Sequence, residues 1–443
     1  MKKLTSAFVL IALFVLFPSI VYAQETVIRV GLLRSFANRE VINIHNESIT
    51  VGNGTNAGFI AVQTLNSSTG FQVRNTGGQV TISSGNEIIF TFTATVNQSA
   101  QIMVVGGMIN MGDYIFRGII EFQPSGGRIN AINVIPLEEY LFGVLPSEMS
   151  PSFHIEALRA QAVAARTFTM YRVNRSTHQG FDLCDQYHCQ VYRGAGTEHA
   201  QTNRAVNDTH GLKMFHNNNV IFAAYFSSSG GGTDNSENVW VEARPYLRGV
   251  FSVTEHDPMV WTRTYTWAQI NTALQNTQGA NIGTATGISI TQVGPTGRPL
   301  EMTVHGTNGH RVIAREAIST FFSQAGQALP SRNFTLAGTA ATSPVVAVTD
   351  GWTTHQVNLT EARAVDQRNI STNVFSRYIF DGHSMRRIDS TTNMVSGGTG
   401  ITLNGRGWGH GVGMSQRGAE GMARQGFTFR EILQHYYTGV EIR

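Results

Sequence analysis

Glu148 stands in the sequence Leu145-Pro-Ser-Glu-Met149, between apolar neighbours. A carboxyl group in such surroundings titrates high, because burial disfavours its charged form. That is the property a general acid needs at a glycosidic bond. The segment Pro136–Met149 leads directly into a run with helical spacing that carries Arg159, Gln161 and Arg166. Arg159 and Arg166 are seven apart and share a helix face. An arginine there can meet Glu148 or hold a substrate carboxylate, and the plain alternative is a solvated helical face.

His178, Cys184, His188 and Cys189 place two imidazoles and two thiols within twelve residues. This is a complete tetrahedral donor set for structural zinc, with no coordination position left for substrate. A Cys184–Cys189 disulfide is the competing reading in an exported chain, and free thiols are the third. In each case the expected role is structural.

Two further stretches combine glycine with functional side chains. Tyr225-Phe-Ser-Ser-Ser-Gly-Gly-Gly-Thr-Asp234 offers hydroxyls at a glycine turn, suited to sugar hydroxyls or acetamido groups, or else forms a polar turn. In Gly405–Ala419, six of fifteen residues are glycine, yet Arg406, Trp408, His410, Ser415, Gln416 and Arg417 stand among them. Glycine is used where the backbone takes positive φ or approaches something closely, so the stretch reads as the wall of a binding cleft. It lacks the strand–helix G-x-G-x-x-G pattern of dinucleotide sites. Gly413-Met-Ser415-Gln-Arg417 lacks the last glycine of a nucleophile elbow.

The elements that must hold these residues indicate an α+β fold. Residues 24–129 read as an antiparallel β-rich region, with short apolar runs such as Thr26–Leu33, Glu87–Thr93, Ile102–Val105 and Tyr114–Phe122 between turn residues. Residues 130–443 read as a mixed helix and strand region around one cleft, with 252–400 as a candidate subdomain. Helices are expected at about Ser152–Val173, Ala200–Gly211, Trp267–Gln278, Val312–Gln324, Ala419–Arg424 and Thr428–Tyr436, the last opened by a Thr428–Glu431 capping box. Strands are expected at Val220–Phe226, Gly287–Val293 and Pro299–Val304, and Ala337–Thr349 as a strand pair or a loop.

Charged residues make up 14 % of the 443-residue chain, and the net charge is +3. That balance does not suggest a nucleic-acid partner and suits an uncharged or mildly acidic polymer. Lys2 and Lys3, the apolar run Ala7–Phe17 and Val21-Tyr22-Ala23 form an export signal over residues 1–23, cleaved or kept as an anchor. The body is therefore expected outside the cytoplasm, with membrane attachment only if the signal is uncleaved.

Four segments resemble, in order, the SpoIID/LytB proteins of bacterial sporulation and cell-wall remodelling: Pro136–Met149, Glu156–Arg166, Tyr225–Gly231 and Gly407–Ala419. Ser150 and Phe153 stand where that family's pattern has Pro and often Trp. The resemblance implies a cleft for peptidoglycan glycan strands and, for SpoIID itself, lytic transglycosylase activity on strands stripped of peptide stems. It puts the catalytic glutamate on Glu148, the helix arginine on Arg166, and the zinc ligands on His178, Cys184, His188 and Cys189. Arg166, Tyr225, Ser227, Ser228, His410, Ser415 and Gln416 are then expected to hold the strand, and no organic cofactor is implied. LytB-type members are amidase enhancers, which would make the chain a glycan-binding partner of a wall amidase. A hydrolase using Asp234 or Asp185 as second carboxylate is the third reading.

Overall fold

The computed structural model describes residues 26–443 except 56–57, 93–98, 253, 256–257, 280, 338–344, 350–353, 359–362, 366–370, 374–377, 381–384 and 388–393. The signal segment expected at 1–23 lies outside the described residues, as does 338–344 of the stretch expected as a strand pair or loop. Within that stretch, Val345–Thr349 pairs with Thr354–Asn358.

The fold is α+β. Its first half is built on a seven-stranded sheet in the order Leu183–Cys184, Val27–Gly31, Arg128–Pro136, Ile119–Ser125, Ser99–Met103, Ser48–Thr55 and Gly58–Asn66. Alternation along Arg128–Pro136 buries Ile129, Ala131 and Ile135 in the core. A six-stranded sheet that includes Ile42–Ile44, Phe71–Thr76 and Gln79–Ser84 contributes Ile42, Val73 and Ile82 to the same core. The strand Arg128–Pro136 runs straight through residue 130, so the expected boundary there falls inside a strand of the large sheet.

The helix Leu137–Glu148 follows that strand without a break, and the helix Ile155–Val173 packs against it. The long helix begins at Ile155, because His154 caps it by accepting from the Glu156 amide. Its small face of Ala157, Ala160, Ala164 and Ala165 is fully buried, which lets the neighbouring helices Ala200–Asp208, Gln416–Arg424 and Phe429–Tyr436 approach closely. The Thr428–Glu431 capping box is formed on both sides.

Two expected elements differ. Val220–Phe226 is not one strand: only Asn219–Val220 and Tyr225–Phe226 pair, in two separate small sheets, and the apolar run crosses between them. Val312–Gln324 is not one helix. Gly309–Ala314 closes a hairpin with Pro299–Gly306, Arg315 breaks the chain at φ 56°, and the helix occupies Glu316–Gln324. Branched Val312 and Ile313 favour the extended backbone, whereas Ile318, Phe321 and Phe322 share a helical face. Those three join a second core with Tyr265, Ile270, Met302 and Leu403.

Beneath the helices lies a buried ion pair. Arg166, fully buried, donates from Nε and Nη2 to the two Glu138 oxygens at 2.7 and 2.6 Å, and to the Leu212 and Val206 carbonyls. Arg166→Met should cost about 3–5 kcal/mol by leaving the Glu138 carboxylate buried and uncompensated. Denaturant unfolding checks this, and adding Glu138→Leu should recover much of the loss.

Candidate functional site

Glu148 is the last residue of its helix. Its Oε1 accepts from the Val191 amide at 2.6 Å, across to the loop that carries the two cysteines. Burial raises its carboxyl above the ordinary range, opposed by that hydrogen bond and by the charge of Arg193. The direction is the one its apolar neighbours suggest.

The position of Val191 is fixed by Gln190, whose side-chain amide is fully satisfied. Its oxygen accepts from Tyr140 at 3.3 Å and Thr169 at 2.7 Å, and its nitrogen donates to the Ala165 carbonyl and to the Tyr225 hydroxyl at 3.0 Å. Tyr225 thus receives the amide proton and keeps its own O–H to donate. Burial, and then the Glu148 charge, raise its pKa, so the phenol stays protonated beside the acid.

The same loop gathers the four donors. The donor atoms of His178, Cys184, His188 and Cys189 all lie within 4.8 Å of one another. His178 Nε2 is 3.2 Å and His188 Nδ1 is 3.4 Å from Cys189 Sγ. Both cysteines are free thiols. The Cys184 thiol is lowered to about 5, first by a hydrogen bond from Cys189 and further by the two histidines, whereas Cys189 is raised. Two sulfurs and two imidazole nitrogens at these separations fit the edges of a tetrahedral metal site with bonds of about 2.0–2.3 Å. Leu183–Cys184 adds to the edge of the large sheet beside Val27–Gly31, which ties the donor loop to the fold.

The glycine-rich stretch builds the opposite side. Tyr225 and Phe226 pair in parallel with Met414 and Ser415, and Ser228 bridges Trp408. Gly413 takes φ 77°, and a Cβ there would overlap the Ala224 carbonyl. The stretch is locked by a carboxylate that no local pattern announces. Glu255 accepts from Ser229 N at 2.8 Å, Ser229 Oγ at 2.6 Å, Gly231 N at 3.1 Å and Ser415 Oγ at 3.1 Å.

Several residues expected to hold a strand are therefore framework. Arg166 is fully buried against Glu138 and reaches no surface. Ser228 is fully buried, and its backbone pairs with Trp408. Ser415 is fully buried, caps the helix Gln416–Arg424 and donates to Glu255. Gln416 is buried in the first turn of that helix. His410 uses both ring nitrogens on backbone: Nδ1 accepts from Val412 N and Nε2 lies 3.1 Å from the Tyr225 carbonyl, which fixes the neutral tautomer. Tyr225 and Ser227 are part-exposed, and Trp408 is half exposed. Arg159, on the same helix as Arg166, pairs with Glu156 and Asp208.

Both aspartates weighed as a second carboxylate are buried. Asp185 is buried and accepts from the Arg34 amide with both oxygens, while its carboxyl is pushed up to about 6 by burial. Asp234 is fully enclosed and accepts from Asn235 N and Asn238 Nδ2. Gln190, Val191 and Arg193 were the missed residues. Their one sequence signal is that they follow directly on Cys189.

The sequence profile described as Stage II sporulation protein matches residues 125–216, and a profile described as a domain of unknown function matches 247–354. The Stage II sporulation protein D of Bacillus amyloliquefaciens is 30 % identical over 71 % of this chain and 76 % of its own length. The amidase enhancer of Bacillus subtilis (strain 168) is 31 % identical over 68 % of this chain, though over only 40 % of its own length. An uncharacterised protein of Brachyspira hyodysenteriae is 29 % identical over 74 % of this chain and 72 % of its own. Among the described residues, no helix is long and apolar enough to cross a membrane.

The imidazole of His410 is lowered to about 4, first by burial and then by Arg298 and Arg332. Since this lies below its unfolded value near 6.5, the stability it contributes is fully present above that value and is lost as the pH falls toward 4. Stability measured by denaturant should therefore decline over that window. His410→Gln should flatten part of the slope.

Proposed function

The chain belongs to the family of Stage II sporulation protein D and the amidase enhancers, and from that premise we propose that it is a lytic transglycosylase of peptidoglycan glycan strands stripped of their peptide stems. The observation that carries this reading is Glu148, a carboxyl with raised pKa that accepts from one backbone amide and whose charge is felt by the Tyr225 phenol.

A hydrolytic glycosidase normally needs a second carboxylate to act as nucleophile or to activate water. Asp185 and Asp234 are both engaged elsewhere. A transglycosylase can work with one. Protonated Glu148 gives its proton to the oxygen between N-acetylmuramic acid and N-acetylglucosamine, and the C1–O bond breaks. The resulting carboxylate takes the proton of the same sugar's C6 hydroxyl, whose oxygen closes on C1 as a 1,6-anhydro ring. The nucleophile is intramolecular, so proximity replaces an activated water. Ser227 and the Tyr225 O–H would orient the sugar.

His178, Cys184, His188 and Cys189 would hold a zinc ion. Bound there, it supplies cross-linking of the loop and no chemistry at the sugar. The loop in turn fixes Gln190 and the Val191 amide against Glu148. The likeness to sporulation and amidase-enhancer proteins supports a role at the cell envelope, outside the cytoplasm.

A second reading has its own support in the likeness to the amidase enhancer. In that case the cleft binds glycan without turnover and presents the chain to a wall amidase.

Glu148→Gln should abolish cleavage of purified strands while leaving the unfolding midpoint close to wild type; activity retained in that variant would sink the assignment. In the wild type, turnover should decline as the pH rises through a value above the ordinary glutamate range, because the acid must start protonated. Stimulation of a wall amidase by both forms, with no products from either alone, would favour the enhancer reading. Metal analysis should find about one zinc per chain, and a strong chelator should lower both the unfolding midpoint and the activity. Cys184 and Cys189 recovered as a disulfide without metal would contradict the zinc site.

A further inference from the structure

Three arginines in this half of the molecule are matched to carboxylates. Arg29 pairs with Glu121, Arg117 with Glu198 and Arg166 with Glu138. Arg172, on the far side of the donor loop, donates to the His188 carbonyl and lies over the Phe168 ring, 5.2 Å from its centroid.

Arg193 is different. It is half-buried, and only Nη1 is engaged, donating to the Asp185 and Tyr192 carbonyls at 3.3 Å each. Among the described residues no carboxylate lies within ion-pair distance of it, and Nε and Nη2 meet no acceptor. Arg193 stands two residues after Val191, whose amide donates to Glu148 at 2.6 Å, and its charge lowers the carboxyls of Glu148 and Asp185 without a hydrogen bond to either carboxyl. The two carbonyls hold one edge of the fork, and the loop behind them is anchored by the sheet edge and the donor cluster. The remaining edge is a pre-oriented pair of donors next to the proposed point of cleavage. A planar fork of this kind matches a carboxylate in two parallel hydrogen bonds.

We propose that Arg193 is a specificity-determining residue that receives a carboxylate carried by the sugar at the cleaved bond, and so selects an acidic strand over a neutral one. This rests on the reading of Glu148 as the acid of a glycan-strand lyase and names what that site recognises. On a strand without peptide stems, each muramic sugar carries a free lactyl carboxylate. With a stem attached, the same carbon is an uncharged amide. Arg193 therefore distinguishes stripped from substituted strands at the sugar whose C1 is attacked. A loop that merely needed Arg193 as a brace would leave no such preference.

The test uses the zinc-loaded full chain and two probes: strands stripped of stems, and the same strands with their lactyl carboxyls converted to simple amides. Dissociation constants are measured in the Glu148→Gln background, where no turnover intervenes. Without the Arg193 change, the carboxylate strand should bind roughly tenfold to a hundredfold more tightly, the weight of a charge-assisted hydrogen-bonded pair. Arg193→Gln should collapse that ratio to near one, and Arg193→Lys, which keeps the charge but not the fork, should leave an intermediate ratio. Zinc content and unfolding midpoint confirm that each variant is folded. An unchanged ratio in Arg193→Gln, or equal binding of the two probes by the chain that retains Arg193, overturns the proposal. Failure of the wild type to cleave either strand, with the preference intact and dependent on Arg193, would remove the lyase reading and leave this one standing.

Discussion

The hydrogen bond from the Val191 amide to Glu148, reinforced by the one from Tyr140 to Gln190, joins two parts of the chain far apart in structure type. One is the end of a helix that grows directly out of the large sheet. The other is an irregular loop with little regular structure of its own. Aligning them to within a hydrogen bond requires that the loop be fixed in three ways. Its first cysteine lies in the sheet edge, its four donors cluster, and the Gln190 amide has all four of its hydrogen-bonding positions filled. A buried amide left partly unpaired would be costly, so Gln190 strongly specifies one loop conformation. The acid, its burial and the neighbouring Tyr225 follow from that.

The glycine-rich stretch serves the same end from the other side. Glycines at positive φ let Gly407–Gly413 lie against the Ala224–Ser229 backbone, and His410 and Ser415 then seal the contact with their polar atoms. Glu255 closes the arrangement by accepting from both segments. His410, Ser415 and Gln416 among the glycines thus mostly hold this segment together, whereas Arg406 and Trp408 face outward. Tyr225 is placed by this wall and by Gln190 at once, which puts its hydroxyl beside Glu148.

Much of the site was legible in the sequence because its signals are local. Four ligand-type residues within twelve positions, a glutamate between apolar neighbours and a capping box are each contained in one short window. What could not be read depends on residues far apart in the chain. Arg166 carries a charge on a small-residue helix, which suits a ligand site as well as a buried pair, and only the arrival of Glu138 decides. Ser415 and Glu255 are separated by 160 residues, and nothing near Glu255 marks it as an anchor. The strand expected at Val220–Phe226 failed because hydrophobic content alone does not say whether a buried run has a partner strand.

The account turns on one carboxyl doing the work of two, with the sugar's own hydroxyl replacing water. Digestion of stripped strands in water enriched in oxygen-18, followed by mass spectrometry of the new termini, tests this directly. The account predicts anhydro termini with no heavy oxygen incorporated. Termini that each carry one heavy oxygen would show that water is the nucleophile, and would contradict it.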